Sequence, residues 1–492
     1  MKEKFDRLCE IVRQDRYLES TMALLEWDQQ TKLPGNAGEY RSEQITYLAG
    51  EIHKRHVASE RSELINELSS NSWIENQTSD ERSTVKELKR QLDKKSRLPQ
   101  SLVEAQARAS SVGQQIWVEA RKENDFAKFA PILKEIFDLK REETEAIGYT
   151  DHPYDVLLDE YEPGAKTAHV AKALDELKTE LVPLIQEIQS SGVNVDTSIL
   201  NREFPIDQQE AFCRLASSQI GFDYGRGRLD VTHHPFCTEA GPEDVRITTR
   251  FDKNFFNMAF FGTLHEAGHG IYEQGLRSDQ YGFAPGQYCS LGIHESQSRL
   301  WENQVGRSRS FWDYFYGPAQ KHFDSLNDVD RDDFHAAINS VTPSLIRVES
   351  DEATYNLHII IRFELEQELI SGDLNSNDLT EAWNSKYREY LGVESKTDAD
   401  GVLQDVHWSA GLVGYFPTYS LGNLYAAQLF DAAEAELGDL GKQFSRGEFL
   451  PLKVWLNENV HQKGQSIRAD ELVHEITGLD LGPAALIGQL RS

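Results

Sequence analysis

The strongest constraint on this chain is a short run near its middle, GTLHEAGHGIYEQG at residues 262–275. It contains His265-Glu266-Ala267-Gly268-His269, an H-E-x-x-H. On a helix the two histidines stand one turn apart, about 6 Å along the axis, on one face. Two imidazoles so placed hold one divalent ion, and Glu266, about 100° round the helix, reaches a water beside it as a base. Aromatic or aliphatic side chains stand at 251, 255, 256, 260, 261, 264 and 271, so this helix is buried on most sides. Two histidines and a glutamate there need partners, because unpaired buried polar groups are costly. A metal supplies them. The fold must therefore build a core around a polar, metal-holding stripe.

A third protein ligand is required, with the fourth position left to water. Glu295, in Ile293-His294-Glu295-Ser296-Gln297, follows His269 by 26 residues. Gly275 is placed to end the first helix, and a loop rich in Gly, Pro and Tyr (279–288) leads into a second, antiparallel helix. His294 is the rival ligand. Glu302 shares the stripe of Glu295 and Arg299; the preferred reading is a salt-bridged surface residue, the alternative a carboxylate behind the ligands.

The rest of the chain is mostly helical in pattern. Leu8, Ile11, Val12, Leu18, Met22 and Leu25 mark a first amphipathic helix, broken by Leu33-Pro34-Gly35-Asn36. A second covers about 39–56. A third begins at Ser79, read as its N-cap, and stops before Pro99. Others cover 100–122, 126–147, 163–189 and 206–220. Between 221 and 250 the texture changes to glycines, prolines and the alternation Val245, Ile247, Thr249, which reads as loop plus a short β-ribbon. Linkers and repeats are absent, so one catalytic domain over 1–492 is expected, with residues 1–150 as a helical arm or lid and 151–492 as the catalytic body.

Charge and cysteine usage narrow the partners. A formal net charge of −30 argues against nucleic acid and anionic membranes. No apolar run reaches membrane-spanning length, and the N-terminus shows no signal-peptide pattern. Cys9, Cys213, Cys237 and Cys289 are scattered, which fits free thiols in the cytosol.

Six motifs then occur in order: His234-Pro235-Phe236, Asp244-x-Arg246-x-Thr248, His265-Glu266-x-x-His269, His294-Glu295-Ser296-Gln297, Ile346-Arg347-x-x-Ser350-Asp351, and Gly401-x-x-Gln404-Asp405-x-His407-Trp408. With Glu26-Trp27-Asp28-Gln29-Gln30-Thr31 and Arg41-Ser42-Glu43-Gln44, the chain resembles the carboxypeptidase Taq family along nearly its whole length. Ser350 stands where that family usually has Ala, and Leu33 where Met is common. The resemblance implies a mostly α fold similar to neurolysin and angiotensin-converting enzyme, two helical halves walling a deep groove with the metal at its floor. It also implies Zn²⁺ or Co²⁺, a cytosolic homodimer, and release of single C-terminal residues from peptides with broad preference but poorly for proline.

The resemblance further implies a late His and Tyr that steady the oxyanion. His407 and Tyr415 are the candidates, with Tyr419 the rival of Tyr415. A carboxypeptidase must also bind a free α-carboxylate, for which Arg is the best cation. Arg347 is the first choice, with an ion pair to Glu349 or Asp351 as its other reading; Arg246 and Arg250 are alternatives. His234, next to His233, is a candidate lining residue of the same pocket. An oligoendopeptidase or dipeptidyl carboxypeptidase on the same fold is the nearest alternative activity; a catalytically dead helical binding protein is the alternative of another class.

Overall fold

The computed structural model describes residues 1–492. Six helices open the chain: α1 (Lys2–Thr31), α2 (Gly38–His56), α3 (Ser59–Ser69), α4 (Ser79–Ser96), α5 (Gln100–Glu123) and α6 (Phe126–Ile147). Helix α3, eleven residues long, was not expected; Leu64, Ile65 and Leu68 are the only apolar residues of its buried face, beside Arg61. At α4 the N-cap is Thr78 rather than Ser79. The Thr78 hydroxyl accepts the Glu81 N–H and the Glu81 carboxylate accepts the Thr78 N–H, a reciprocal arrangement that Ser79 could not make with the same glutamate three residues on.

Three helices follow: α7 (Tyr154–Leu158), α8 (Thr167–Ser190) and α9 (Ile206–Ile220). α8 starts later than Pro163 because Gly164 turns the chain at φ +87°, a conformation no helix continues through. The β signal resolves into three strands, β1 (Gly227–Val231), β2 (Cys237–Glu239) and β3 (Val245–Thr249). β3 is central, parallel to β1 and antiparallel to β2, so this is a mixed sheet rather than a two-stranded ribbon. Ile247 of β3 packs toward the next helix, where a Cβ at Gly270 would lie 3.1 Å from its Cγ2.

Helices then run to the end: α10 (Phe256–Gly275), α11 (Leu291–Arg299), α12 (Arg309–His322), α13 (Arg331–Ile338), α14 (Glu352–Ser371), α15 (Leu379–Leu391), α16 (Pro417–Leu437), α17 (Leu440–Phe444), α18 (Leu450–Asn459), α19 (Ala469–Thr477) and α20 (Ala484–Arg491). α11 passes directly into a π-turn at Leu300–Val305. None of the helices is long and apolar enough to cross a membrane.

One apolar cluster runs from Ala109 on α5 to Ile487 on α20. A separate small cluster joins Phe5, Leu8, Val12, Ile65, Leu68, Val85 and Leu88 to Phe283. Residues 1–147 thus contain two kinds of helix: α1, α3 and α4 share their own core, while α5 and α6 pack into the main one. α1 is also tied to the sheet. The buried Trp27 ring lies against the guanidinium groups of Arg228 and Arg246, 4.9 and 4.2 Å from its centroid, and Lys32 pairs with Asp230 at 2.8 Å.

Candidate active site

The apolar sequence of α10 becomes its packing. Phe260 stacks with Phe212 of α9 and with Phe256, which lies tilted to Phe212, and Leu264, Ala267 and Ile271 are fully buried. This leaves His265 and His269 together on the remaining face, ring centroids 4.9 Å apart. Two glycines bring the third group in. A Cβ at Gly268 would lie 2.4 Å from the Gln297 carbonyl oxygen, and one at Gly422 of α16 would lie 2.4 Å from Cγ of Glu295. α11 therefore nests against α10 at backbone distance, with α16 closing on its other side. Gly275 does end α10 but is not a left-handed cap; its lack of a Cβ admits the His461 ring, whose Nδ1 would lie 2.2 Å from one.

Glu295 Oε2 lies 3.6 Å from His265 Nε2 and 3.5 Å from His269 Nε2, and the three donor atoms fall within 4.8 Å of one another. Four ligands about 2.1 Å from a tetrahedral ion stand about 3.4 Å apart, so this set fits a zinc-sized divalent cation. The hydrogen bonds fit it too. His265 Nδ1–H donates to Glu302 Oε2 at 2.8 Å and His269 Nδ1–H to the His294 carbonyl at 3.0 Å, which leaves both Nε2 lone pairs on the side of Glu295, free to ligate. Burial, reinforced by His294, holds His269 down to about 3 and so neutral. Glu295 is buried, yet Arg299 and the two imidazoles hold it well below the usual carboxylate range; Arg299 Nε donates to its Oε1 at 2.7 Å.

Glu302 corrects one expectation. It is no surface residue: its side chain is 13% exposed, bonded to His265 and flanked by Arg299 at 3.3 Å and Arg307 at 3.7 Å. The stripe it shares with Glu295 lies on a buried helix, so an acid there needs buried partners. His294 lies outside the His265–His269–Glu295 set but against it: its Nε2–H donates to Glu273 at 2.8 Å and its Nδ1 stands 2.6 Å from His269 Nδ1. Glu266 is buried, with Oε2 lacking any hydrogen-bond partner, and burial pushes it up to about 7.

The late segment forms a second cluster. His407 Nε2 lies 3.2 Å from the Tyr419 hydroxyl, and the His407 ring is 5.4 Å from that of Tyr415. Burial raises both phenols, and the Glu295 charge adds to the rise. Arg347 is buried and pairs with Asp405 at 2.8 Å, not with Glu349 or Asp351. Asp405 is shared: its other oxygen binds the fully buried Arg362 at 2.6 Å. Burial, with the two guanidinium groups, holds His407 down to about 4 despite Asp405.

Residues 7–492 match the family described as carboxypeptidase Taq (M32) metallopeptidase. The chain belongs to that family. It is a metallocarboxypeptidase. Thermostable carboxypeptidase 1 of Thermus thermophilus is 45% identical over 96% of this chain and 95% of its own. Carboxypeptidase 1 of Bacillus subtilis is 38% identical over 99% and 97%. The crystal structure of an M32 carboxypeptidase from Deinococcus radiodurans R1 superposes with a TM-score of 0.96 at 38% identity, over 99% of this chain and 98% of that one.

Other candidates lie elsewhere in this carboxypeptidase. Arg246 pairs with Asp244 at 2.7 Å and covers Trp27. The exposed Arg250 donates to the Met258 sulfur. His234 and His233 are exposed on the loop between β1 and β2. Sequence reasoning missed Arg362 as a partner of Asp405, Tyr355 as the acceptor of an Arg347 N–H at 3.1 Å, and two buried glutamates, Glu162 and Glu366. The run Leu357-His358-Ile359-Ile360-Ile361-Arg362-Phe363 carried a signal: a charge inside an apolar helix has a buried partner.

Proposed function

We propose that this carboxypeptidase releases single C-terminal residues from peptides, with broad preference and poor release of proline, using one Zn²⁺ or Co²⁺ held by His265, His269 and Glu295. A divalent ion there would polarise the scissile carbonyl and acidify a water. Glu266 accepts that water's proton and hands it to the leaving amine; a carboxylate poised near neutrality with a free Oε2 suits both transfers. His407, kept neutral, and Tyr415 or Tyr419 donate hydrogen bonds to the developing oxyanion. Their mutual contacts, and the Glu295 field at both phenols, support this placement.

Arg347 fixes the substrate carboxylate, and this separates carboxypeptidase from endopeptidase action. The observation that carries it is a charge count. Arg347 and Arg362 share the single acid Asp405 in direct ion pairs, so one positive charge is left over beside Tyr419. Arg246, occupied by Asp244 and Trp27, has no such surplus. The same reading takes the two helical halves as walls of a deep groove similar to that of neurolysin and angiotensin-converting enzyme, and the chain as a cytosolic homodimer. Four free cysteines fit a reducing compartment.

The test is hydrolysis of N-blocked dipeptides, with and without chelator, followed by add-back of Zn²⁺ and Co²⁺. Release of the last residue, lost when the C-terminus is amidated, is expected. Internal cleavage of amidated peptides would refute the exopeptidase reading, and dipeptide release would reassign it to a dipeptidyl carboxypeptidase.

A further inference from the structure

We propose that Glu366 is a positioning residue that sets the geometry of the loop bearing His407 and Tyr415; this rests on the oxyanion role given to those residues above. Glu366 lies within α14 with no exposed surface. Its Oε1 accepts the Trp408 Nε1–H at 2.7 Å, and its Oε2 accepts the Gly414 N–H at 2.9 Å and the Tyr154 hydroxyl at 2.5 Å. Trp408 directly follows His407, and Gly414 directly precedes Tyr415. One carboxylate therefore holds the loop at two points, each adjacent to a side chain that faces the reaction.

The loop has a shape that needs such fixing. Gly411 and Gly414 adopt φ of +74° and +91°, which side chains rarely tolerate. A Cβ at Gly414 would lie 2.7 Å from the Leu157 backbone, so the turn closes against α7 with its N–H directed at Glu366. Three donors converge on a group that only accepts when ionised and has lone pairs for all of them. A buried carboxylate is costly, and an apolar side chain of like volume would often stabilise a core better. An apolar side chain would, however, leave the Trp408 and Gly414 N–H groups unpaired and the loop free to rotate. The carboxyl supplies direction: its two oxygens each fix one N–H vector of the loop.

The experiment compares E366Q, W408F and Y154F with the parent enzyme for kcat and KM on an N-blocked dipeptide, with bound Zn²⁺ and thermal unfolding measured on each. Gln keeps the volume but directs an NH₂ at one of the loop donors, so one attachment is lost; W408F removes the other partner's N–H; Y154F leaves both loop attachments. E366Q and W408F are expected to lower kcat at least tenfold with KM within twofold and a full complement of Zn²⁺, and Y154F to stay within twofold of the parent. A parental kcat in E366Q or W408F, with only a lower unfolding midpoint, would overturn the proposal, as would a change confined to KM. If E366Q does not fold, W408F alone decides. H407A and the Y415F/Y419F pair separate the two levels of inference. Parental kcat in those variants overturns the oxyanion assignment and this proposal with it, whereas slow H407A beside a parental E366Q overturns the positioning role alone.

Discussion

Removing the Glu302 carboxylate should weaken metal binding without touching a ligand. Glu302 Oε2 accepts the His265 Nδ1–H at 2.8 Å, which fixes the tautomer and turns Nε2 toward Glu295. A hydrogen bond to a charged group contributes about 1.5–3 kcal/mol, and loss of such an outer partner costs roughly 10–100-fold in metal affinity; the two figures agree. A second effect has the same sign. Arg299 donates to both Glu302 and Glu295, so without Glu302 its charge bears on Glu295 alone and draws electron density from that ligand. E302A is therefore expected to bind Zn²⁺ about 10–100-fold more weakly than the parent. E302Q keeps an acceptor for His265 but no charge, and should fall between them. Competition of metal-stripped protein against a chromogenic chelator measures this, with circular dichroism confirming that the apo variants are folded. Zn²⁺ affinity of E302A within twofold of the parent would show that His265 needs no help from Glu302.

Three further outcomes are expected. E266Q should bind Zn²⁺ as tightly as the parent yet lose about 10²–10⁴-fold in kcat; near-parental turnover would remove Glu266 as the base. G422A places a methyl 2.4 Å from Glu295 Cγ, and overpacking of this kind costs about 1–3 kcal/mol, so its unfolding midpoint and Zn²⁺ content should both drop, and parental values for both would contradict the close approach of α16. Glu162, buried against Ser290 Oγ and Gly292 N, is pushed by burial from 4.5 to about 7. The folded state holds this proton more tightly than the unfolded one, so stability is lost as pH rises from about 4.5 to about 7, by roughly 3 kcal/mol at this site. E162Q cannot titrate and should flatten the decline of the unfolding midpoint between pH 5 and 8; an unchanged slope would assign that decline to other groups.

The convergence of His265, His269 and Glu295 was legible because its spacing is local. Two histidines on one helical turn announce themselves, and Glu295 follows on the next helix. The late cluster was only half legible. Arg347, His407 and Tyr415 could be singled out, but the sharing of Asp405 between Arg347 and Arg362 joins residues 43 and 58 apart, which no periodicity encodes. Glu302 was misjudged because a charged stripe on a helix looks the same whether it faces water or two arginines. The sheet was read as a ribbon since three short strands joined by a parallel crossover leave no more signal than one hairpin. Helix α3 went unseen for the complementary reason: its buried face has only three apolar residues and belongs to the smaller core.

The placement of Trp27 has a consequence for how damage would travel. Its ring touches two guanidinium groups on adjoining strands, and one of those strands, β3, lies against the helix that carries both histidines. Loss of that single indole would strip Arg228 and Arg246 of their shared aromatic partner and leave each to its own acid, Asp230 and Asp244. The hold of α1 on the sheet would loosen at the strand that seats α10, so a lesion in the first helix would reach the histidine-bearing helix through β3.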